Sequence, residues 1–398
     1  MSVAVRLGIL TTHPIQYQVP WFRALVRVPE IDLTVLYCML PDARQQGEGF
    51  GVEFQWDLPL LDGYRYEVLA NVARNPSVTA FLGCDTPAVR EVIRARGFDC
   101  VIVNGWVVKS CLQALWACRR EGIPCLVRGE SNAFRRRPLW VRALHRLLLR
   151  QYSAFLAIGQ ANRQFYLANG ISQERLFDAP YCVDNARFAA DAARLEPSRG
   201  QIRQSWRIPD EARAFLFCGK LIEKKRPLDL LAALASVVPP ATGRPVHLLV
   251  AGDGPLRASC ESFAEQRRLP VTFAGFLNQS EVARAYVAAD CLVLPSDDGE
   301  TWGLVVNEAM ACGRPAIVSD RVGCHPDLVL PGRTGFVFPL GDCQSLAGLL
   351  AALAKDADTA RHLGQGARER VSGYSISRLV EGTMKAVDHT LTARATRR

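Results

Sequence analysis

Short apolar runs alternate with amphipathic stretches along nearly the whole chain. In the first half, residues 6–10, 33–37, 100–103, 124–127 and 155–158 read as strands, with helical spacing of apolar positions over 87–96 and 109–121. In the second half, strands are predicted at 214–217, 247–251, 271–273, 291–294 and 316–318, and helices at 227–237, 258–266 and 304–311. Strand and helix in alternation predict parallel sheets covered on both faces. Two such series predict an α/β protein of two doubly wound, Rossmann-like domains. Ligands of these sheets bind outside the carboxyl ends of the strands, so the residues just after each strand are the first candidates for chemistry.

A chain of 398 residues exceeds one ordinary core and suits two domains. The stretch 187–203 is small, polar and broken by Pro197 and Gly200, which places the domains at 1–188 and 189–375. A helix over 376–391 follows, within a C-terminal piece 376–398 expected to pack back toward the first domain and to end in a frayed basic tail, Arg394 to Arg398. With 49% hydrophobic and 22% charged residues the chain is globular rather than disordered. Its net charge of +9 favours anionic partners: nucleotides, phosphates, acidic lipid headgroups or nucleic acid. The thirteen cysteines show neither C-x-x-C pairs nor zinc-ligand spacing and read as buried, reduced thiols. The first residues lack the features of a signal peptide, and no stretch reaches the roughly 18 apolar residues of a spanning helix. A cytoplasmic location, or one at the inner face of a membrane, is expected.

The most informative segment runs from Ser296 to Pro315. It follows a predicted strand, and Gly303 opens an apolar helix that stops at Gly313 with Pro315 beyond. Glu300 lies before that helix and Glu308 inside it. A helix start after a strand offers backbone N–H groups and a positive dipole end, which suit a phosphate, and Gly303 would let it approach closely. Two flanking carboxylates can accept hydrogen bonds from sugar hydroxyls. The plain alternative is an acid favouring the helix dipole plus a solvated glutamate; the joint occurrence of Glu300, Gly303, Glu308, Gly313 and Pro315 weighs against it. Asp297, Asp298 and Glu300 also leave a magnesium site open in principle. Gly219, Lys220 and Lys225 follow another strand, where lysines would serve a diphosphate as point charges, or form a solvated basic turn. Gly252-Asp253-Gly254-Pro255 is by itself only a tight turn. At Gly275, Phe276 and Leu277 a flat base could lie against exposed backbone. Residues 322–327 follow a further strand. In the first half, His13 and Glu130 each follow a strand, as do residues 105–109, and a structural role competes evenly for the histidine.

Taken together, residues 216–350 resemble glycosyltransferase family 4, retaining enzymes with two facing Rossmann-like domains and a deep crevice between them, the GT-B architecture. Glu300 and Glu308 reproduce the E-x7-E pattern; Gly219-Lys220-Leu221 with Lys225 stands where Gly-Arg-Leu and a lysine are usual. Gly252 to Pro255, Gly335 to Asp342 and the hinge Val183-Asp184 with Phe188 match further segments. The resemblance implies that the second domain binds a nucleotide-sugar donor and the first an acceptor, a saccharide or a lipid-linked sugar, in polysaccharide or glycoconjugate synthesis. Lys220 and Lys225 would bind the diphosphate, Glu308 the ribose, Glu300 the donor sugar, and the backbone of Gly303, Leu304 and Val305 the distal phosphate, with Gly252 and Gly275 to Leu277 around the nucleotide. His13 and Glu130 are candidates for the acceptor or the sugar. In this family the leaving phosphate takes the acceptor proton on the same face, so neither a cofactor nor a metal is expected. Two features depart from the pattern: Lys220 replaces the arginine, and Thr12-His13-Pro14-Ile15-Gln16-Tyr17 replaces a glycine-rich loop and is similar to a bacterial subgroup linked to surface or exported polysaccharide. Two other readings compete: a non-catalytic nucleotide-binding scaffold and a nucleotide-sugar epimerase of the same fold.

Residues 135–150 carry six arginines, from Arg135 to Arg150, and no acid. Arg142, Arg146 and Arg150 recur every fourth position, with Trp140, Leu144, Leu147 and Leu148 on another face. A helix lying on anionic lipid reads this way, and so does a packed helix with a basic outer face. Nucleic acid is not expected as a partner, because no aromatic platforms interleave the arginines.

Overall fold

The computed structural model describes residues 4–238 and 244–396. The chain forms two units: Met1–Gln45, Pro59–Tyr181 and Ile376–Arg398 in unit 1, and Gln46–Leu58 with Cys182–Ser375 in unit 2. Unit 1 is built on a parallel sheet of β1 (Val5–Thr11), β2 (Ile31–Tyr37), β3 (Arg65–Val68), β4 (Cys100–Val103), β5 (Cys125–Val127), β6 (Ala154–Ala157) and β7 (Leu176–Asp178). Their order is β3-β2-β1-β4-β5-β6-β7. Unit 2 holds β8 (Arg213–Cys218), β9 (Val246–Ala251), β10 (Val271–Gly275), β11 (Cys291–Leu294), β12 (Ala316–Ser319) and β13 (Gly335–Phe338), in the order β10-β9-β8-β11-β12-β13. In each sheet the chain winds outward in one direction and then restarts beside its first strand. This creates a topological switch point, between β1 and β4 in unit 1 and between β8 and β11 in unit 2.

The strands that the apolar runs predicted are all present, because both faces of each sheet are covered and the runs are continuous. Three further strands carry weaker patterns. β3 is an exposed edge strand with Arg65 and Glu67 in it, β7 has three residues, and β13 opens on a glycine. The stretch 187–203, small and polar though it is, is helical for most of its length. Asp184 caps the helix Asn185–Leu195 by accepting from the Arg187 N–H at 3.0 Å, and a second helix, Arg199–Ser205, follows. The long helix Ile376–Ala395 lies in unit 1, where Arg394 donates to the Asp99 carbonyl. Of the basic tail, Arg397 and Arg398 lie outside the described residues. The thirteen cysteines are free thiols, twelve of them buried. Among the described residues no helix is long and apolar enough to cross a membrane.

A buried charge cluster ties the amino-terminal edge of the second sheet together. Asp290, just before β11, accepts from Arg199 at 2.8 Å, from Arg213 at 3.0 Å and from the Ala214 N–H at 2.8 Å. Arg203 stands 3.8 Å away and hands further hydrogen bonds to the carbonyls of Pro209 and Ala212. One carboxylate thus holds three guanidinium groups, two of them almost fully buried. Removing it leaves buried positive charge uncompensated. Asp290→Ala is expected to destabilise unit 2 by about 3–5 kcal/mol, read as a fall in the urea midpoint with little change in slope.

Candidate active site

The loops after β8 and β11 meet because those strands are neighbours. β8 runs into Gly219 and Lys220, then through a short 3-10 turn, Glu223–Lys225, into the helix Pro227–Ala235. Arg226, at φ +53°, makes the turn between them. β11 runs into residues 295–303 and then the helix Leu304–Ala311. The Asp297 N–H donates to the Lys224 carbonyl at 2.9 Å, which locks one loop to the other. Across this junction Lys225 Nζ donates to Glu300 Oε2, and both side chains are nearly buried. Burial alone pushes the Glu300 carboxyl upward; the charges of Lys225 and Lys224 outweigh it and hold the pKa below the ordinary value.

Gly303, at φ +101°, is the residue at the start of the helix Leu304–Ala311, and a Cβ there would strike Leu294 Cδ2 at 2.9 Å. The backbone N–H groups of Leu304 and Val305 belong to the first turn and have no intrahelical acceptor. Glu308 stands on the same helix, 1% exposed, and accepts from the Tyr286 hydroxyl at 2.5 Å. That hydroxyl also lies 3.6 Å from Cys218 Sγ, at the end of β8. Burial, with the Cys218 and Glu308 charges, pushes the Tyr286 pKa well up, so it is a proton donor at neutral pH. Trp302 Nε1 donates to Asn307 Oδ1 at 2.8 Å, and the N–H groups of Gly323 and Cys324 donate to the carbonyls of Glu300 and Trp302 at 3.0 and 2.9 Å. Residues 322–324 therefore brace the Glu300 loop. Gly252 lies against the β8 turn so closely that a Cβ would sit 1.9 Å from the Gly219 carbonyl oxygen. The sequence predicted no such contact between these two glycines.

Gly275 ends β10, and Phe276 and Leu277 follow it on the same edge of the sheet. The N–H of Gly252 donates to the Gly275 carbonyl at 2.7 Å. Phe276 does not present a bare platform. It packs against Phe54 and Phe50, with ring centroids 4.2 and 5.1 Å away. Both belong to Gln46–Leu58, a strap that unit 2 takes from an earlier part of the chain. Asn278 Nδ2 donates to the Gln55 carbonyl at 2.7 Å, and the Ser280 N–H to Asp57 at 3.1 Å. Lys220 Nζ donates to the Glu48 carbonyl at 2.5 Å and stands 4.6 Å from the Phe50 ring. Burial lowers the Lys220 pKa, and the Lys224 and Lys225 charges lower it further against the Glu48 carboxylate. Asp297, Asp298 and Glu300 do not gather: among the described residues no group of three His, Cys, Asp or Glu is placed to hold a metal ion.

In unit 1, His13 follows β1, with its Nδ1 2.9 Å from Thr12 Oγ1, and burial brings its pKa down to about 4. It is a neutral imidazole at physiological pH. Glu130 follows β5 and accepts from the Tyr181 hydroxyl. The buried Arg128 lies over the Tyr181 ring at 4.3 Å and near Trp21 at 5.5 Å. Lys109 is engaged with Asp85 at 2.7 Å, and Trp106 stacks on Phe165 at 6.1 Å. Asp184 and Asp342, both in family-like segments, are helix caps.

Two Rossmann-like units, the second with a lysine loop, a loop glutamate and a helix glutamate at its switch point, define the nucleotide-sugar transferase class of fold and site. The family model for glycosyl transferases group 1 matches residues 198–370, and that for the glycosyl transferase 4-like domain matches residues 21–181. A GDP-mannose-dependent alpha-mannosyltransferase from Mycobacterium tuberculosis is 33% identical over 286 residues, 68% of either chain. The sulfoquinovosyl transferase SQD2 of Arabidopsis thaliana is 31% identical over 267 residues, which cover 63% of this chain and 47% of that protein. The chain thus spans about half the length of that relative. The chain belongs to the group 1 glycosyltransferases. In fold it is similar to a glycosyltransferase from Rickettsia africae (TM-score 0.74, 14% identity, 98% and 99% of the two chains). It is also similar to Anabaena HepE, solved with UDP-glucose (TM-score 0.70, 16% identity, 98% and 99%).

The Lys225–Glu300 pair makes a pH-dependent contribution to stability. With its pKa depressed, Glu300 stabilises the native state above the unfolded carboxylate value of 4.5, and this is lost as pH falls through the folded value. In Lys225→Ala the largest charge that lowers this pKa is gone, and burial is expected to outweigh what remains from Lys224 and the Ser296 hydroxyl. That variant is expected to lose stability near neutral pH and to recover part of it on acidification toward about pH 5, read by urea unfolding at the two pH values.

Proposed function

We propose that the protein is a retaining, family 4 glycosyltransferase. It moves a sugar from a nucleotide-diphosphate donor held by unit 2 to a saccharide or lipid-linked acceptor, in polysaccharide or glycoconjugate synthesis. One observation carries the reading: the buried Lys225–Glu300 pair at the β8/β11 switch point, next to the helix start at Gly303 and the buried Glu308. Relatives named for GDP-mannose, and a similarly folded protein solved with UDP-glucose, support the donor class. In this reading the diphosphate lies against Lys225, Lys220 and the N–H groups of Leu304 and Val305. Glu308 accepts from the ribose hydroxyls, oriented by Tyr286, and Glu300 from the sugar. Gly275, where an added Cβ would meet nothing within 4 Å, leaves room for the nucleotide, and Gly252 holds its turn against Gly219.

In the reaction the bond from the sugar C1 to the diphosphate oxygen breaks, and a bond from C1 to the acceptor oxygen forms on the same face. The acceptor proton passes to the leaving phosphate oxygen. The negative charge that grows on the diphosphate is met by two ammonium groups and a helix start fixed beforehand, and this supplies the rate without a cofactor or a metal. His13 and Glu130 serve the acceptor; His13, neutral, can donate or accept a hydrogen bond there.

The strap is the element that the donor must move. Lys220 gives one of its three N–H bonds to the Glu48 carbonyl, and Phe50 and Phe54 pack on the Phe276 ring, so the strap occupies the space beside the lysine and the residue proposed for the phosphate and the base. We infer that the donor displaces Gln46–Leu58 from these contacts.

A panel of UDP-, GDP-, ADP- and dTDP-sugars read by thermal shift tests the donor site. One nucleotide at a hundredfold excess over Kd is expected to add about 2.7 kcal/mol, roughly 5–10 °C in Tm, and the shift should vanish in Lys225→Ala. No shift with any of them would favour the scaffold reading. NMR of the product should give the donor's own anomeric configuration, and donor turnover without acceptor would favour the epimerase. Phe54→Ala, which loosens the strap, is expected to tighten apparent donor binding several-fold. Weaker binding would make that ring part of the base pocket.

A further inference from the structure

The helix Leu139–Leu149 has three faces. At about 100° per residue, Val141, His145, Leu148 and Leu149 fall together and turn inward. Leu149 is buried, Leu148 packs on the core of unit 1, and the His145 ring meets Phe165 at 5.5 Å. Leu148 therefore leaves the outer apolar face on which helical spacing alone had placed it. A second face carries Arg142, Arg146 and Arg150. The third carries Trp140, Leu144 and Leu147 and points outward. These are 71%, 57% and 60% exposed, and Leu139 at the helix start is 78% exposed. A packed helix with a basic outer face would bury such residues. Contiguous exposed apolar side chains of this size mark an interaction surface.

The surrounding charge identifies what covers it. Residues 135–150 contain no carboxylate, and among the described residues Arg135, Arg136, Arg142, Arg146 and Arg150 form no ion pair. Arg135, Arg136, Arg137 and Arg142 line one cleft of about 390 Å³, closed behind by His145 and Phe165. The partner must present phosphate-like anions beside an apolar layer, and a bilayer of anionic lipid does both. A tryptophan at the edge of the apolar face suits the headgroup level. We propose that the helix Leu139–Leu149 docks unit 1 on an anionic lipid bilayer. Trp140, Leu144 and Leu147 enter at the acyl boundary, the arginines sit on headgroup phosphates, and one phosphate lies in the cleft of Arg135, Arg136, Arg137 and Arg142. Arg135 lies on the loop that also carries Glu130, the candidate acceptor residue. The proposal uses no residue of unit 2 and stands apart from the donor reading.

Sedimentation of the full chain with phosphatidylcholine vesicles, with and without phosphatidylglycerol and without donor, tests it. Binding is expected only with the anionic lipid, falling with added salt, and accompanied by a blue shift of tryptophan emission that Trp140→Phe removes. The triple change Arg142→Ser, Arg146→Ser, Arg150→Ser should weaken partitioning on the order of a hundredfold. Leu144→Glu with Leu147→Glu should abolish it. All five side chains are exposed, so Tm should hold in both variants. Absence of binding, or equal binding to both vesicles, overturns the proposal. So does a wild type that is dimeric in solution and becomes monomeric in Leu144→Glu with Leu147→Glu, which would make this face an interface between copies.

Discussion

The pairing of β8 with β11 is the constraint on which the chemistry of unit 2 depends. The two strands are separated in sequence by β9, β10 and their helices, yet they lie side by side because the sheet restarts at its first strand. That adjacency brings a lysine loop and a glutamate loop into one place, and each end of the shared edge is held by charge. At the carboxyl end, Lys225 and Glu300 join the loops. At the amino end, Asp290 gathers Arg199, Arg203 and Arg213 and also accepts from the first residues of β8. The two clusters differ in their energetic role. In the Asp290 cluster Arg199 and Arg203 are also bound to several backbone carbonyls, and the cluster acts as a fastener. In the Lys225–Glu300 pair, desolvation opposes the pairing, and a ligand with its own negative charge can take up the lysine.

Most of this was legible because each sheet is buried on both faces. Continuous apolar runs such as Cys100–Val103 and Cys291–Leu294 leave little room for another reading, and the glycine just after β9, Gly252, marks a place where backbone meets backbone. β3, by contrast, is an exposed edge, and its Arg65 and Glu67 give it the composition of a loop. The helix Asn185–Leu195 was hidden by its alanines, which suit a helix as well as they suit a linker. The docking of Gln46–Leu58 on unit 2 was beyond reach for a different reason. Phe50, Phe54 and Trp56 are visible as apolar positions, but their partner Phe276 is more than two hundred residues away, and nothing local encodes that pairing.

For the site itself, spacing identified Glu300 and Glu308 but could not tell what each touches. Both are removed from solvent, in opposite company: Glu300 faces an ammonium group and is held ionised, while Glu308 faces a neutral phenol that cannot release its proton at physiological pH. A hydroxyl donor beside a carboxylate suits recognition of a neutral diol, and a cation beside a carboxylate suits a group next to a phosphate. The division of labour proposed for the two glutamates therefore rests on their neighbours, Lys225 and Tyr286, as much as on their spacing.

The choice of basic residue adds an independent argument. Only six of the 48 basic residues are lysines, and three of these six are Lys220, Lys224 and Lys225. A chain that uses arginine almost everywhere else, including all six basic positions from Arg135 to Arg150, uses lysine in the loop that joins the Glu300 loop. The two side chains solve different problems. Guanidinium is planar, weakly hydrated and always charged, which suits headgroup phosphates at a surface. Ammonium is compact, carries no fixed fork, and has a pKa that burial can lower, as it does at Lys220. A point charge can follow a diphosphate as its charge grows and the sugar departs, and it can exchange a carbonyl partner such as that of Glu48 for a phosphate oxygen without matching a rigid geometry. In this light Lys220, at the position where arginine is usual in the family, extends a local preference that Lys224 and Lys225 already show.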